Sequence, residues 1–126
     1  MPTVLLIDDA PIIIDMLTLL LRRYGYGVAV LRDGLKLIET LRQTQPALVL
    51  MDISLPIKDG WTLIKEIRLT PDVAHIPVIA VSGHCDDANK SQMVLAGYND
   101  ALCKPFDMQD LVQKVRFYVG QVRMCA

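Results

Sequence analysis

Five short apolar segments of the chain alternate with longer segments in which apolar residues recur at helical spacing. An unbroken apolar run of four or five residues is typical of a strand buried on both faces, whereas apolar residues three and four positions apart predict a helix. Strand and helix alternating five times predict an α/β fold, in which helices cover both faces of one parallel sheet. The predicted strands are 4–7, 28–31, 47–51, 78–81 and 101–103, and the predicted helices are 11–24, 35–43, 61–69, 88–96 and 108–122.

Residues near the ends of the predicted helices support these boundaries. Asp33 and Asp107 precede the second and fifth helices, where an aspartate side chain accepts a hydrogen bond from a free backbone N–H. Pro11 suits the first turn of a helix because the N–H that proline lacks would have no partner there. Gly25 and Gly27 follow the first helix, where a residue in the left-handed conformation is common.

The first predicted helix carries more apolar residues than one core-facing stripe requires. Only Asp15, Thr18 and Arg22 form a clear polar arc. Either neighbouring helices bury the excess, or part of the helix is an exposed apolar surface to which another protein docks, and the sequence favours neither interpretation. The apolar residues in question are Ile12, Ile13, Ile14, Leu17, Leu19, Leu20 and Leu21.

Length and composition indicate one globular domain that spans residues 1–126. The chain has 52% hydrophobic and 21% charged residues, which is typical of an ordered protein with a single core. A formal net charge of −1 offers no basic face for direct nucleic-acid binding. No apolar stretch is long enough for membrane insertion, and the first residues lack the basic and apolar regions of a secretory leader.

The three cysteines, Cys85, Cys103 and Cys125, are an odd number with no CxxC spacing and no nearby histidine pair. This pattern favours free thiols in a reducing compartment over a disulfide or a zinc site. Together with the lack of a leader, it predicts a cytoplasmic protein.

Polar residues suited to chemistry are concentrated where the predicted strands end. Asp8 and Asp9 follow the first strand, Asp52 the third, Ser82 the fourth and Lys104 the fifth. Taken singly, Asp9 is explained as a helix cap and Asp52 or Ser82 as a turn residue. Because the carboxyl ends of parallel strands meet at one edge of a sheet, where such folds bind ligands, we expect all five side chains to converge.

Three converging aspartates predict a site for a hard divalent cation. Neighbouring carboxylates repel one another, and Mg²⁺ relieves this repulsion while keeping water and a phosphate oxygen as ligands. Lys104 and Ser82 are then placed to neutralise and hydrogen-bond the oxygens of an incoming phosphoryl group. Of the three aspartates, Asp52 is the least needed as a helix cap. We therefore expect its carboxylate to attack phosphorus and form an aspartyl phosphate.

Four motifs at these strand ends carry a family resemblance: LLIDD at 5–9, LVLMDISLPIKDG at 48–60, PVIAVSG at 77–83 and KPF at 104–106. Over essentially its whole length the chain resembles the receiver domain of two-component response regulators. The resemblance implies a flavodoxin-like, doubly wound sheet of five parallel strands in the order 2-1-3-4-5, with five helices. It also implies a stand-alone, single-domain protein of a phosphorelay.

The resemblance assigns the phosphoacceptor and the metal ligands. Asp52 accepts a phosphoryl group from a histidine of a sensor histidine kinase or a histidine phosphotransfer protein, in a reaction that depends on Mg²⁺. Asp9 ligates the metal directly and Asp8 mainly through water, and Ser54 supplies its main-chain carbonyl.

The resemblance also assigns the switch. Lys104 pairs with the phosphoryl group, and the bond between Lys104 and Pro105 is cis. Ser82 is the hydroxyl residue that moves towards the phosphate and repositions the loop after it. Self-phosphorylation and autodephosphorylation are the only reactions expected of the chain, and a downstream protein receives the signal. The sequence names neither the kinase nor the target, and it leaves phosphate lifetime and homodimer formation open.

Two features depart from the family pattern or need a separate interpretation. Ala101 stands where the family usually has an aromatic residue that rotates inward, so we expect the loop 82–87 and the short polar helix after it to carry the switch. Ser54 and His84 match positions that affect how water reaches the acyl phosphate. For His84 an ordinary exposed loop residue is favoured over a role in ordering the hydrolytic water.

Two other functions fit parts of the same pattern. An aspartyl-phosphate phosphohydrolase of similar topology needs a second aspartate two residues after the nucleophile, where this chain has Ser54. A degenerate receiver that signals without phosphate is disfavoured by the complete set of site residues. With 126 residues we expect no DNA-binding or catalytic output domain, so that the output is binding to another protein.

Overall fold

A computed structural model of the protein describes residues 2–125, with side chains described as far as residue 120. Strands and helices alternate along the chain, as the periodicity predicts, and most boundaries move by only one or two residues. The strands are β1 Thr3–Ile7, β2 Gly27–Leu31, β3 Leu48–Asp52, β4 Val78–Ser82 and β5 Asp100–Cys103. The helices are α1 Pro11–Arg23, α2 Leu37–Thr44, α3 Gly60–Arg68, α4 Asp87–Ala96 and α5 Met108–Cys125.

The five strands form one parallel sheet in the order β2-β1-β3-β4-β5, which confirms the expected topology. The register aligns the carboxyl ends of the central strands, since Ile7 lies beside Met51 and Asp52 lies beside Val81. At the next pair of strands Ser82 lies beside Cys103. From β1 the chain adds β2 on one side of the sheet and then β3, β4 and β5 on the other, so the strand order reverses between β1 and β3. Such a switch point leaves an open crevice at the carboxyl ends of the strands.

Two apolar layers, one on each face of the sheet, bury the strands. In β3, Val49 and Met51 pack in the layer that α2 and α3 cover, while Leu48 and Leu50 pack in the layer that α1 and α5 cover. Every residue of β3 and β4 is buried. This burial on both faces explains why these strands are continuous apolar runs rather than alternating sequences.

The helix boundaries agree with some predicted end signals and correct others. Asp107 accepts a hydrogen bond from the Gln109 N–H at the start of α5, as expected of a capping residue. Asp33 does not cap α2, because Lys36 precedes that helix and the Asp33 carboxylate accepts from the Leu35 N–H in a local turn. Gly25 adopts a positive φ of 87° after α1, whereas Gly27 begins β2.

The apolar surplus of α1 is divided between the core and the surface. Ile14, Leu17 and Leu21 are buried in the interior. Ile12 and Leu19 remain 79% and 71% exposed, so neighbouring helices bury only part of the surplus. Among the described residues, none of the helices combines the length and hydropathy that a membrane span requires.

A buried tyrosine joins the loop before β5 to the start of α3, directly beneath the carboxyl end of β3. The Tyr98 hydroxyl donates a 2.7 Å hydrogen bond to the Gly60 carbonyl oxygen. Burial raises the pKa of Tyr98 above its ordinary value, and the nearby charges of Asp59 and Asp52 raise it further, so the phenol stays protonated as a donor. Only a residue without a side chain fits at Gly60, since a Cβ there would lie 2.6 Å from this hydroxyl and 2.7 Å from the Ile53 Cα.

Gly60→Ala is therefore expected to lower the free energy of unfolding by about 1–3 kcal/mol, because a methyl group is forced against backbone and a buried side chain. Chemical denaturation monitored by circular dichroism measures the change. Gly120→Ala is the matched control, since open space surrounds that position in α5 and alanine favours helix, so its stability should stay equal or rise. Equal stability of the two variants would contradict the close packing at Gly60.

Candidate functional site

The carboxylates of Asp8, Asp9 and Asp52 meet at the carboxyl end of the sheet. One oxygen from each lies within 4.8 Å of the other two. Asp8 and Asp52 are buried, with 4% and 6% of their surface exposed, whereas Asp9 is exposed at the rim. The structure therefore brings together the three aspartates that the strand-end pattern singled out.

Backbone hydrogen bonds orient the two buried carboxylates. Asp8 Oδ1 accepts from the Ala10 N–H at 2.9 Å, and Asp52 Oδ1 accepts from the Ser54 N–H at 2.9 Å. Each bond joins residues two positions apart, which is the geometry of a local turn. Asp52 is therefore a turn residue, and the turn also holds its carboxylate in the site. Asp9 is not the cap of α1, since Ala10 is the residue before that helix.

Lys104 reaches into the cluster from the end of β5. Its Nζ lies 3.3 Å from Asp52 Oδ2 and 3.7 Å from Asp8 Oδ2. Each buried aspartate therefore has one oxygen held by the backbone and its other oxygen turned towards the ammonium group. The peptide bond between Lys104 and Pro105 is cis, as the resemblance implied.

The electrostatics of the cluster show the cost of gathering these charges. Burial raises the pKa of Asp8 above its ordinary value, and the charges of Asp52 and Asp9 raise it further. The hydrogen bond from the Ala10 N–H and the charge of Lys104 act in the opposite direction. One lysine beside three carboxylates leaves an excess of negative charge. Hard oxygen donors that carry excess negative charge suit a divalent cation such as Mg²⁺.

Ser82 is the last residue of β4, the strand beside β3, but its hydroxyl is engaged with its own loop. The Ser82 hydroxyl oxygen accepts from the His84 N–H at 3.0 Å and donates to the His84 carbonyl oxygen at 3.2 Å. The Ser82 carbonyl oxygen accepts from the Lys104 N–H at 2.8 Å. His84 itself is exposed, which agrees with its interpretation as a loop residue.

The loop that follows Asp52 contains a helix cap that sequence reasoning did not single out. Asp59 accepts from the Thr62 N–H at 2.9 Å and begins α3. Asp86 does the same for α4 through the Asn89 N–H at 2.8 Å. In both cases the signal was available, since an aspartate three residues before an amide of the first turn is a common cap.

At Ala101 the structure agrees with the expected lack of an aromatic switch residue. Ala101 is buried in β5, and its carbonyl oxygen accepts a 3.0 Å hydrogen bond from the Lys114 ammonium group of α5. α4 is held loosely, because Met93 is its one buried residue. Few buried contacts are typical of elements with low local stability.

The bonding state of two cysteines differs from the prediction of free thiols. Cys85, in the loop after β4, and Cys103, at the end of β5, are joined as a disulfide. The prediction of free thiols is therefore wrong for these two residues. The side chain of Cys125 lies outside the described residues. Sequence spacing alone hides the pair, since 18 positions separate the two cysteines and only the pairing of β4 with β5 brings them together.

Comparison with known proteins identifies the family. Residues 4–116 match the model of the response regulator receiver domain. The chain belongs to this family. Receiver domains are phosphoacceptor switches of two-component signalling, and they bind Mg²⁺ at an acidic pocket. The three aspartates described above form an acidic cluster of this kind.

Curated relatives of this receiver include longer proteins. The DNA-binding dual master transcriptional regulator RpaA of Synechocystis is 36% identical over 92% of this chain, which corresponds to 48% of RpaA. The chain thus spans about half the length of this relative. An uncharacterised 14.6 kDa protein of Leptolyngbya boryana is 30% identical over 91% of this chain and 88% of its own length.

Solved receiver domains share the fold. The Francisella response regulator 1452 receiver domain matches with a TM-score of 0.89 and 25% identity, over 97% of this chain and 99% of that one. The receiver domain of sensor histidine kinase PA1611 from Pseudomonas aeruginosa matches with a TM-score of 0.85 and 28% identity, over 94% of this chain and 98% of its own. That structure has a magnesium ion coordinated in its active-site cleft.

Asp8→Asn is expected to raise the free energy of unfolding at neutral pH in the presence of EDTA by about 1 kcal/mol, a typical size for removing one unfavourable interaction. The folded state raises the pKa of Asp8, so its ionised form is less favourable there than in the unfolded chain, and asparagine removes that charge. The asparagine oxygen still accepts from the Ala10 N–H.

Urea denaturation with and without Mg²⁺ measures this effect. Asp72→Asn is the control, because Asp72 is exposed and pairs with Arg42 at 2.7 Å, so its replacement brings no gain. Added Mg²⁺ should stabilise the wild type more than Asp8→Asn. A loss of stability in Asp8→Asn without metal would contradict the repulsion described above.

Proposed function

We propose that Asp52 is the phosphoacceptor of this receiver and takes its phosphoryl group from a phosphohistidine of a sensor histidine kinase or histidine phosphotransfer protein. The observation that carries the proposal is the position of Asp52 Oδ2, 3.3 Å from the Lys104 ammonium group, while Oδ1 is held by the Ser54 N–H. Asp52 Oδ2 attacks phosphorus, the phosphorus–nitrogen bond breaks, and the imidazole leaves with the electron pair of that bond.

Mg²⁺ is the proposed cofactor. The carboxylates of Asp8, Asp9 and Asp52 and the main-chain carbonyl of Ser54 would hold it, with Asp8 acting mainly through water. The separation of the three carboxylates and their excess negative charge support this assignment. When bound, the ion supplies positive charge that offsets the negative charge of the transferring phosphoryl oxygens.

Lys104 and Ser82 complete the proposed site. The Lys104 ammonium group exchanges its contact with Asp52 for one with a phosphoryl oxygen. The Ser82 hydroxyl reaches another phosphoryl oxygen only after it gives up its two hydrogen bonds with His84. This exchange moves the loop after β4 and, through the Asp86 cap, the start of α4.

We further propose that residues 1–126 act as a single receiver domain in the cytoplasm, whose output is binding to a downstream protein rather than to nucleic acid. Self-phosphorylation from small donors and autodephosphorylation are the reactions proposed for the chain itself. A position in a phosphorelay follows from the proposed histidine donor. The dimeric state of the phosphorylated form is left to experiment.

An apolar surface beside Lys104 is the proposed docking site for the histidine-bearing partner. Ile12 and Leu19 are exposed and lie seven residues apart on α1, so they share one face of the helix. An adjoining groove of about 500 Å³ connects this face to the site. The groove is lined by Ile13, Met16, Lys104, Pro105, Phe106 and Met108. Such a surface fits the helix pair that carries the phosphohistidine in these kinases.

Incubation with acetyl phosphate and Mg²⁺ is expected to add the mass of one phosphoryl group to the wild-type protein. The adduct should be labile to hydroxylamine, as an acyl phosphate is. Asp52→Asn should gain no adduct, because the amide is not a nucleophile, and EDTA should suppress the reaction in the wild type. Intact-mass spectrometry measures all three.

Asp72→Asn is the matched aspartate control and should be labelled like the wild type, because it lies away from the cluster. Labelling of Asp52→Asn to the wild-type extent would show that another residue accepts the phosphate. The proposed function would then be wrong.

Leu19→Glu is expected to slow transfer from a phosphorylated histidine kinase by about tenfold, equivalent to ~1.4 kcal/mol of docking energy. Transfer from acetyl phosphate should be unchanged, because the small donor needs no docking surface. Ile12→Glu should have the same effect, because Ile12 is 79% exposed on the same face. Ile14 is unsuitable for this test, since it is 6% exposed and a charge there would disrupt the core.

Leu69→Glu is the control for a surface charge. Leu69 is 82% exposed at the end of α3, away from α1, and its substitution should change neither rate. Rapid-quench measurements with both donors separate the cases. An equal loss of rate with kinase and with acetyl phosphate would refute a docking role for α1.

A further inference from the structure

The disulfide between Cys85 and Cys103 lies beside the switch residues. Cys85 is three residues after Ser82, and Cys103 directly precedes Lys104. Their Cα atoms are 5.7 Å apart, within the range in which two cysteines can be bridged without backbone movement. The register of β4 against β5, which places Ser82 beside Cys103, fixes one partner on the sheet.

The two sulfur atoms tie a loosely held loop to a rigid strand. Cys103 belongs to β5, whereas Cys85 belongs to the loop that leads into α4. Asp86, the next residue, caps α4 through the Asn89 N–H. Because Met93 is the one buried side chain of α4, the tie at Cys85 is a strong constraint on where this helix begins.

The disulfide coexists with the arrangement in which Ser82 faces its own loop. Both hydrogen bonds of the Ser82 hydroxyl go to His84, the residue just before Cys85. Cys85 Sγ also lies 3.5 Å from the Ser82 carbonyl oxygen. A reduced Cys85 thiol can donate a hydrogen bond to that oxygen, whereas a disulfide sulfur has no hydrogen to donate. That oxygen also accepts a hydrogen bond from the Lys104 N–H.

We propose that Cys85 and Cys103 form a reversible dithiol–disulfide site, and that its oxidation holds the loop after β4 with Ser82 turned away from the phosphoacceptor. Both cysteines are partly exposed, so a small disulfide can reach them. Reversibility agrees with the reducing compartment proposed above, where protein disulfides are transient and often regulatory.

The oxidant is a low-molecular-weight disulfide such as glutathione disulfide. One cysteine thiolate, its proton lost to solvent, attacks a sulfur of the oxidant, forms a mixed disulfide and expels one thiolate. The second cysteine, also deprotonated, attacks the protein sulfur of that mixed disulfide and expels the second thiolate. The protein loses two electrons and two protons, and the oxidant becomes two thiols.

The consequence for signalling rests on the proposed function. In the oxidised form the cross-link restrains Cys85 and resists the loop shift that accompanies the departure of the Ser82 hydroxyl from His84, so its hydrogen bond to the phosphoryl group forms less readily. We expect phosphorylation by acetyl phosphate to be about tenfold slower in the oxidised protein than in the reduced protein. Receivers without this cysteine pair lack such a coupling.

Mass spectrometry after equilibration with mixtures of reduced and oxidised glutathione tests the site itself. Oxidation should remove two hydrogens from the intact protein. Trypsin does not cleave before Pro105, so the cross-link should join peptide 69–90 to peptide 91–114. Only unlinked thiols, or only glutathione adducts, in the most oxidising mixture would overturn the proposal.

Hydrogen exchange tests the restraint. The amides of the loop after β4 and of the first turn of α4 should exchange about tenfold more slowly in the oxidised protein than in the reduced protein. Cys85→Ser should show one exchange rate under both conditions. Cys125→Ser, the matched control, should behave like the wild type. Equal exchange of oxidised and reduced wild type would overturn the restraint.

Phosphorylation rates complete the experiment and separate the two proposals. Slower labelling of the oxidised wild type, with no redox effect in Cys85→Ser, supports the coupling. Equal labelling of both forms would overturn it. If the reduced protein is not labelled at all, the proposed phosphoacceptor function fails, while the cross-link and the exchange rates still decide the dithiol site.

Discussion

Three carboxylates held close together at the end of a buried sheet are the constraint on which the rest of the structure depends. Like charges within 4.8 Å repel, and the burial of Asp8 raises the pKa of its carboxyl above its ordinary value. The molecule offsets this with two backbone hydrogen bonds and one lysine. The apolar packing of β3 and β4 on both faces provides the stability that lets an unfavourable cluster persist. The excess negative charge therefore favours the binding of a cation.

The residues around this cluster form two groups that differ in rigidity. Asp8 follows β1, Asp52 ends β3 and Lys104 follows β5. Backbone hydrogen bonds hold the two aspartates, and the pairing with them holds the Lys104 side chain. Ser82 also ends a strand, but its hydroxyl is hydrogen-bonded to His84 in the surface loop that follows. α4 follows with a single buried anchor, and the alanine in β5 provides no rotating ring. The loop after β4 is the segment proposed to move, and it is also the segment that the disulfide attaches to β5.

Helix α1 contributes apolar residues both to the core and to the surface. Its buried residues close one apolar layer of the sheet, while Ile12 and Leu19 face solvent beside a groove that reaches the site. The proposed docking surface on α1 and the loop after β4 belong to different elements around Asp52. In the proposed function, a donor approaches along α1 while the loop and α4 respond.

The sequence by itself determined the alternation of strands and helices, the burial of the sheet and the convergence of Asp8, Asp9, Asp52 and Lys104, because these depend on local periodicity and on the geometry of parallel strands. Strand order came from the resemblance to receiver domains. Only the tertiary structure decided that Lys36 rather than Asp33 precedes α2, and that Ile14 is buried while Ile12 is exposed, since both depend on how each helix is rotated against its neighbours. It also decided the pairing of Cys85 with Cys103. The distance between two residues 18 positions apart depends on which strands are adjacent and on the path of the loop between them, and composition and spacing determine neither.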